Sequence, residues 1–359
     1  MNKAKNKKLL LIGSSKGKGH MLNYKALIEP YFDEILLVSG HQVDDQEAIT
    51  LNFGLKNPIR FIQTLRALRK LIFTFQPDII HVHQANSYGF MSALANRGYK
   101  PLVLTTWGSD VLLLPQKNQF YKWMVRFALK KANIITADAH FMAKAIDALT
   151  PEKEVQIANF GVEIQKLAEP VQKEKLIYSN RMHEPLYRIA VVIEQSAAFL
   201  KANPDWKLRI AASGSQTVAL QSLAERTLPE NSFEFVGFQG PADNLMNYAK
   251  AQIYVSIPES DGTAISLLEA MAYGCIPVVS DLPANQEWVK AKQNGLIFSG
   301  NLSADFESAL LLDPENVAKL NADIIDQHAT KAVNQAKFFK LYDQLLGQPV
   351  LHNNKEGQL

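Results

Sequence analysis

Twelve short apolar runs, separated by stretches of helical periodicity, limit this chain more than any other feature. Six fall in the first half: KKLLLIG, EILLVSG, PDIIHVH, PLVLTTWG, NIITAD and VQIANFG. Six follow in the second: KLIYSNR, WKLRIAAS, FEFVGF, AQIYVSI, IPVVSD and GLIFSG. Continuous apolar runs of this length read as strands buried on both faces, and their alternation with helices indicates parallel sheets built from βαβ units. A chain of 359 residues exceeds one core and suits two. The expected fold is therefore α/β, with two doubly wound, Rossmann-like domains over residues 1–165 and 175–328. The polar stretch 162–175, VEIQKLAEPVQKEK with Pro170, is the expected linker.

Two helices are legible from their stripes. Residues 59–75 carry Phe61, Leu65, Leu68, Ile72 and Phe75 on one face, with Arg60, Arg66, Arg69 and Lys70 off it. A last amphipathic helix over about residues 330–347 presents Val333, Ala336, Phe339, Leu341 and Leu345. Lys122, Arg126 and Lys130 recur every fourth residue beside Phe120, Trp123 and Phe127. Such basic amphipathic faces suit anionic lipid headgroups, although solvated surface over a core stripe gives the same pattern.

Charge divides with the halves. Residues 1–165 carry 21 Lys/Arg against 13 Asp/Glu, a net of +8, and the remainder is net −5. The basic half is thus a candidate to meet something anionic, such as a membrane surface, a lipid-linked acceptor or phosphate. No nucleic-acid partner is expected. The single cysteine, Cys275, lies in the apolar run AYGCIPVV and cannot form an internal disulfide. The basic start leads into too short an apolar run for a secretory segment, and no run approaches a bilayer span. A cytoplasmic protein, at most peripheral on the inner membrane face, is the expectation.

Ligands of open parallel sheets sit at the carboxyl ends of strands, so candidate residues follow the runs. After the first run come Ser15, Lys16 and Gly17, in a glycine-spaced basic loop that could approach an anion and could equally be a plain turn. After the third come His81 and His83, expected on opposite faces of the strand, with His83 nearer the ligand. Asp110 follows TTWGS, where it could bind a sugar hydroxyl or cap the next segment. In the second half Arg181 ends KLIYSNR, and Ser213 and Gly237-Phe238-Gln239 follow two later runs.

The densest pattern is ESDGTAISLLEAMAYGCIPVVSDLPANQEW, residues 259–288. Asp261 precedes Glu269 by eight residues, and the two carboxylates bracket a helix start. Carboxylates can accept from sugar hydroxyls, while N–H groups of a first helical turn can face phosphate. This block resembles the donor-binding motif of family-4 retaining glycosyltransferases, glycosyl transferases group 1, usually Glu-x7-Glu. The HVH, TTWGSD and ITAD elements agree with it.

The resemblance implies the GT-B fold, two Rossmann-like domains facing across a cleft, with the last helix returning to the first domain. It implies that Arg181 and a lysine five residues later neutralise the donor diphosphate. That lysine is absent: the position is Leu186, and Arg188 is the candidate substitute. It further implies that Glu269 accepts from the ribose, and that Asp261 with Gly262 and Thr263 holds donor sugar and phosphate. The Ser213 turn and the Gly237–Gln239 backbone would floor the base pocket, and the loop holding Ser15 to Gly17 would lie near phosphate and acceptor. Trp107 stands where many relatives have histidine.

The expected activity is retaining transfer of a hexose-type sugar from a nucleotide-diphosphate sugar, UDP- or GDP-linked, to a glycan, glycolipid or protein. No metal and no other cofactor is expected. The rival readings are a sugar-nucleotide epimerase of the same fold and a non-catalytic sugar-nucleotide-binding subunit.

Overall fold

In the first strand alternate side chains enter different cores. Leu10 and Ile12 join one buried cluster, Leu9 and Leu11 another. A strand sends successive side chains to opposite faces, so a wholly apolar run needs cover on both. The structure is a computed structural model that describes residues 6–14, 20–42, 48–165, 167, 169 and 171–347. The expected loop residues Ser15, Lys16 and Gly17 lie outside the described residues.

The chain divides into two compact units, one of Met1–Phe160 with Asn334–Leu359, the other of Gly161–Val333. The first unit holds β1 Lys8–Gly13, β2 Glu34–Ser39, β3 Ile49–Thr50, β4 Ile79–His83, β5 Leu102–Thr105, β6 Ile134–Ala137 and β7 Val155–Ile157. They form one sheet in the order β3-β2-β1-β4-β5-β6-β7, with every pairing parallel. Six of these strands match the apolar runs. The seventh, β3, has only two residues, too few for periodicity to register.

The second unit holds β8 Glu174–Ser179, β9 Lys207–Ala211, β10 Phe233–Gly237, β11 Ala251–Ser256, β12 Ile276–Val279 and β13 Leu296–Ile297. Its parallel sheet runs β10-β9-β8-β11-β12-β13. The strand order reverses between β8 and β11, and ligands of doubly wound sheets gather at such a reversal. Each unit is thus a Rossmann-like α/β domain.

The break between units falls at Phe160, ahead of the expected linker. Val162 is 3% exposed and bridges Thr330, and Lys173 donates to three carbonyls of its own unit, so this polar stretch is bound into the second domain. The last helix, Lys331–Gly347, belongs to the first unit from Asn334 onward. Its buried face is Asn334, Phe338, Leu341, Tyr342 and Leu345, whereas Ala336, expected inward, is exposed. Two aromatic residues, Phe338 and Tyr342, set that face at i, i+4 spacing.

Candidate functional site

At the reversal in the second unit, β8 delivers Asn180 and Arg181 and the loop after β11 delivers Asp261. Arg181 Nη2 donates to Asp261 Oδ2 at 2.5 Å, and Nη1 donates to Ser266 Oγ at 2.9 Å. The guanidinium lies over the Tyr187 ring, 4.6 Å from its centre. Burial works against the Arg181 charge, but Asp261 beside it prevails and holds the pKa above its ordinary value. A planar guanidinium fixed on two sides and stacked on a third is preorganised, and its remaining N–H groups suit an oxyanion.

Glu269 sits one turn beyond Ser266 on the helix Ile265–Ala272. Its Oε2 accepts from the Tyr248 hydroxyl at 3.0 Å, and Tyr248 in turn accepts from Asn180 Nδ2 at 2.7 Å. Asn180 therefore links the two acids. Its Oδ1 accepts from Tyr254, whose hydroxyl also contacts Ser266 at 2.8 Å. Burial raises the Glu269 pKa above the ordinary carboxylate value, with the Tyr248 bond pulling back. The helix begins at Ala264 with no side chain capping it, and Gly262 N–H is turned onto Asp261 Oδ1 at 3.0 Å. Gly262 and Thr263 precede the N-cap and stand beside Asp261 in sequence.

Around this centre the loops are stiffened from within. His183 N–H donates to the Ser213 carbonyl, and its ring meets Thr217 Oγ1 at 2.9 Å and the Ala211 carbonyl at 3.2 Å. A Cβ on Gly214 would lie 2.6 Å from the His183 carbonyl oxygen, so only glycine fits that approach. Gly237 turns at φ +67° and leaves Phe238 80% exposed, while Gln239 Nε2 is tied to the Val236 carbonyl. Leu186, where a lysine was expected, is exposed. Arg188 takes a left-handed conformation at φ 55° ahead of the helix Ile189–Ala202, its guanidinium 5.7 Å from the Phe298 ring centre.

The strand ends of the first unit differ. His81 and His83 are both fully buried and stack at 4.9 Å, on one face. The expectation of opposite faces is corrected by the period of the strand: residues i and i+2 share a side. His81 Nδ1 meets the hydroxyls of Tyr342 at 2.8 Å and Tyr24 at 3.1 Å, and Nε2 meets Thr105 Oγ1 at 2.7 Å. Burial, and then His83 beside it, hold His81 neutral by lowering its pKa well below the usual value. His83 Nδ1 accepts from Trp107 Nε1 at 3.0 Å, and burial pushes its pKa down to about 3. Asp110, offered as a sugar ligand, is 2% exposed. Its oxygens accept from Ala85 N–H at 2.6 Å and Trp107 N–H at 2.9 Å, tying the loop after β4 to the loop after β5.

Sequence reading missed Asn180, Ser266, Tyr248, Tyr254 and His183. Ser266 and Glu269 stand three apart on one helix, which was a usable signal. The tyrosines looked like core residues. Among the described residues no three His, Cys, Asp or Glu side chains gather as a metal site, and no helix is long and apolar enough to cross a membrane.

Comparison with known proteins bears on the family and the fold. Residues 8–139 match the model of the glycosyl transferase 4-like family, and residues 160–327 that of glycosyl transferases group 1. A GDP-mannose:cellobiosyl-diphosphopolyprenol alpha-mannosyltransferase of Xanthomonas oryzae is 25% identical over 67% of this chain and 66% of its own length, just under two thirds. A phosphatidyl-myo-inositol mannosyltransferase of Mycobacterium tuberculosis is 23% identical over 89% and 84%. The solved Anabaena HepE, in complex with UDP, superposes with a TM-score of 0.78 at 15% identity, covering 94% of this chain and 100% of that one. With both family models matched in chain order and the fold shared, the chain belongs to the family-4, group 1 glycosyltransferases of the GT-B fold.

Proposed function

We propose that this protein is a retaining hexosyltransferase whose second unit binds a nucleotide-diphosphate sugar and whose acceptor is a glycan, glycolipid or protein. The observation that supports it most is the chain of contacts from Asp261 through Arg181, Ser266, Tyr254, Asn180 and Tyr248 to Glu269. It sets a cation at the start of one short helix and a carboxylate one turn along it.

In this reading Arg181 meets the diphosphate, and its attraction grows as the bond from the anomeric carbon to the phosphate oxygen breaks. Asp261 has a second role besides the sugar, since it orients Arg181. Glu269 accepts from the ribose, and Gly262 and Thr263 add backbone donors. The Ser213 and Gly237–Gln239 loops receive the base, with Phe238 presenting an aromatic face. The acceptor oxygen attacks on the face that the phosphate leaves, and a phosphate oxygen takes the acceptor proton. Arg188 supplies a second charge by turning from Phe298. Cations from the chain stand in for a metal, so the transfer is metal-independent. Asp110, with both oxygens bonded inward, positions loops rather than touching sugar, whereas His83 keeps Nε2 buried without a partner among the described residues and so retains capacity on the acceptor side.

The donor is UDP- or GDP-linked: HepE was solved with UDP and the Xanthomonas relative is named for GDP-mannose. A cytoplasmic, peripheral placement is part of the proposal. The helix Pro58–Phe75 exposes Ile59, Ile62 and Phe73 among its arginines, and Gln119–Lys131 exposes Phe120 and Trp123 among lysines. Incubation with UDP- and GDP-sugars, with EDTA and an acceptor panel, tests the reading by product and anomeric configuration. An inverted anomer would remove retention, and activity restored only by metal would remove metal independence. Sugar interconversion without acceptor would favour the epimerase, and binding without turnover the non-catalytic subunit.

A further inference from the structure

The first unit contains a cavity of about 590 Å³ that no role above uses. Its apolar lining includes Phe53, Leu114 and Met124. Phe53 and Met124 are 5% and 1% exposed, which makes them a fixed floor. Lys56, Arg60 and Lys117 line the same cavity, all three exposed. None of the three is in an ion pair among the described residues. Asp110 is the one acid in the lining, and backbone N–H groups already hold both its oxygens.

The first turns of two helices, Pro58–Phe75 and Ser87–Asn96, also contribute lining residues. Their N-termini carry partial positive charge, which adds to that of the cations. Three uncompensated cations over an apolar floor select a ligand that is anionic at one end and apolar directly beside it. A free polar sugar would leave the floor uncovered, and a neutral lipid would leave the cations unmatched. The volume is in the range that takes a small organic ligand, roughly 300–1,000 Å³. Leu113, 51% exposed on the rim, and the exposed Ile59 beside Arg60 continue the apolar surface outward.

We propose that this cavity binds a phosphate- or diphosphate-bearing amphiphile, with Lys56, Arg60 and Lys117 on the phosphate and Phe53, Leu114 and Met124 under the first carbons of the apolar chain. That the ligand serves as the acceptor rests on the transferase reading; its binding does not.

The test is calorimetric titration of the full chain with geranyl diphosphate, geraniol and inorganic pyrophosphate, in metal-free buffer with UDP or GDP saturating the second unit. Geranyl diphosphate should bind at least about tenfold more tightly than either fragment, since each supplies half of the contacts. A Lys56→Ala, Arg60→Ala, Lys117→Ala triple variant should lose about tenfold or more for geranyl diphosphate and keep its nucleotide affinity and melting temperature. All three side chains are exposed, so the variant should fold. Pyrophosphate binding as tightly as geranyl diphosphate would overturn the amphiphile, geraniol doing so would overturn the cations' role, and an unaffected triple variant would remove the site from this cavity. If nucleotide binds and geranyl diphosphate does not, this inference fails alone. If geranyl diphosphate binds and no nucleotide does, it is the transferase reading that fails.

Discussion

The two units place polar residues at equivalent points of the same plan and use them in opposite ways. On β4 and after β5, His81, His83 and Asp110 are between 0% and 2% exposed, and their polar atoms, His83 Nε2 excepted, turn to hydroxyls, an indole and backbone N–H groups of their own unit. After β8 and β11, Arg181 and Asp261 keep 11% and 23% of their side chains exposed, held in place with donors and acceptors to spare. Position at a strand end nominates a residue. Remaining hydrogen-bonding capacity and access decide whether it can bind anything. We read the difference as structural work for His81 and Asp110 and ligand chemistry for Arg181 and Asp261, and variants of each should separate along that line.

The largest expected effect is on Arg181. Replacing Arg181 with alanine should lower turnover by about a hundredfold or more, comparable to losing an oxyanion donor, with a smaller change in ground-state binding. Steady-state kinetics with the identified donor reads both. Loss confined to KM would show that the arginine only binds.

In the first unit, His81→Leu should be a stability variant. It removes the imidazole bonds to the Tyr24, Tyr342 and Thr105 hydroxyls, which keep only each other and Thr136 as partners among the described residues, at about 1–3 kcal/mol in all. Thermal melting should shift down while nucleotide affinity of the folded protein stays unchanged. A drop in affinity without a drop in stability would break the comparison.

The smallest effect is expected at Arg188, which must leave Phe298 to reach phosphate. Arg188→Ala should cost turnover only several-fold, with Arg188→Lys recovering part of it. If Arg188→Ala is silent, Leu186→Lys becomes informative, because it restores a cation at the exposed position five residues after Arg181.

The repeated apolar runs made both sheets legible, because a strand covered on both faces has few polar residues to blur it. The acids at 261 and 269 were legible from their spacing about a helix start. What joins them was not. Asn180 reaches Tyr248 across 68 residues and Arg181 reaches Asp261 across 80, and separations of that kind leave no local pattern. His81 and His83 were placed on opposite faces although their spacing puts them on one. In the last helix Leu341 and Leu345 are buried as expected, but Asn334, Phe338 and Tyr342 complete the buried face instead of Val333, Ala336 and Phe339.

The most direct test of the central claim is the affinity of UDP and GDP for the wild type and for Glu269→Ala and Glu269→Gln, measured by calorimetry across pH. A carboxylate accepting from ribose contributes roughly 1.5–3 kcal/mol per charged hydrogen bond, so alanine should weaken binding by about tenfold or more. Burial raises the Glu269 pKa above 4.5, and the ionised form is the stronger acceptor, with two oxygens and no proton of its own. Affinity that depends on Glu269 should therefore be greatest above that raised value and fall away as pH drops through it. The glutamine variant, which cannot titrate there, should lose that part of the pH dependence while retaining whatever the phosphate groups contribute. Unchanged affinity in Glu269→Ala, for whichever nucleotide the wild type binds, would contradict the assignment of this helix to the nucleotide.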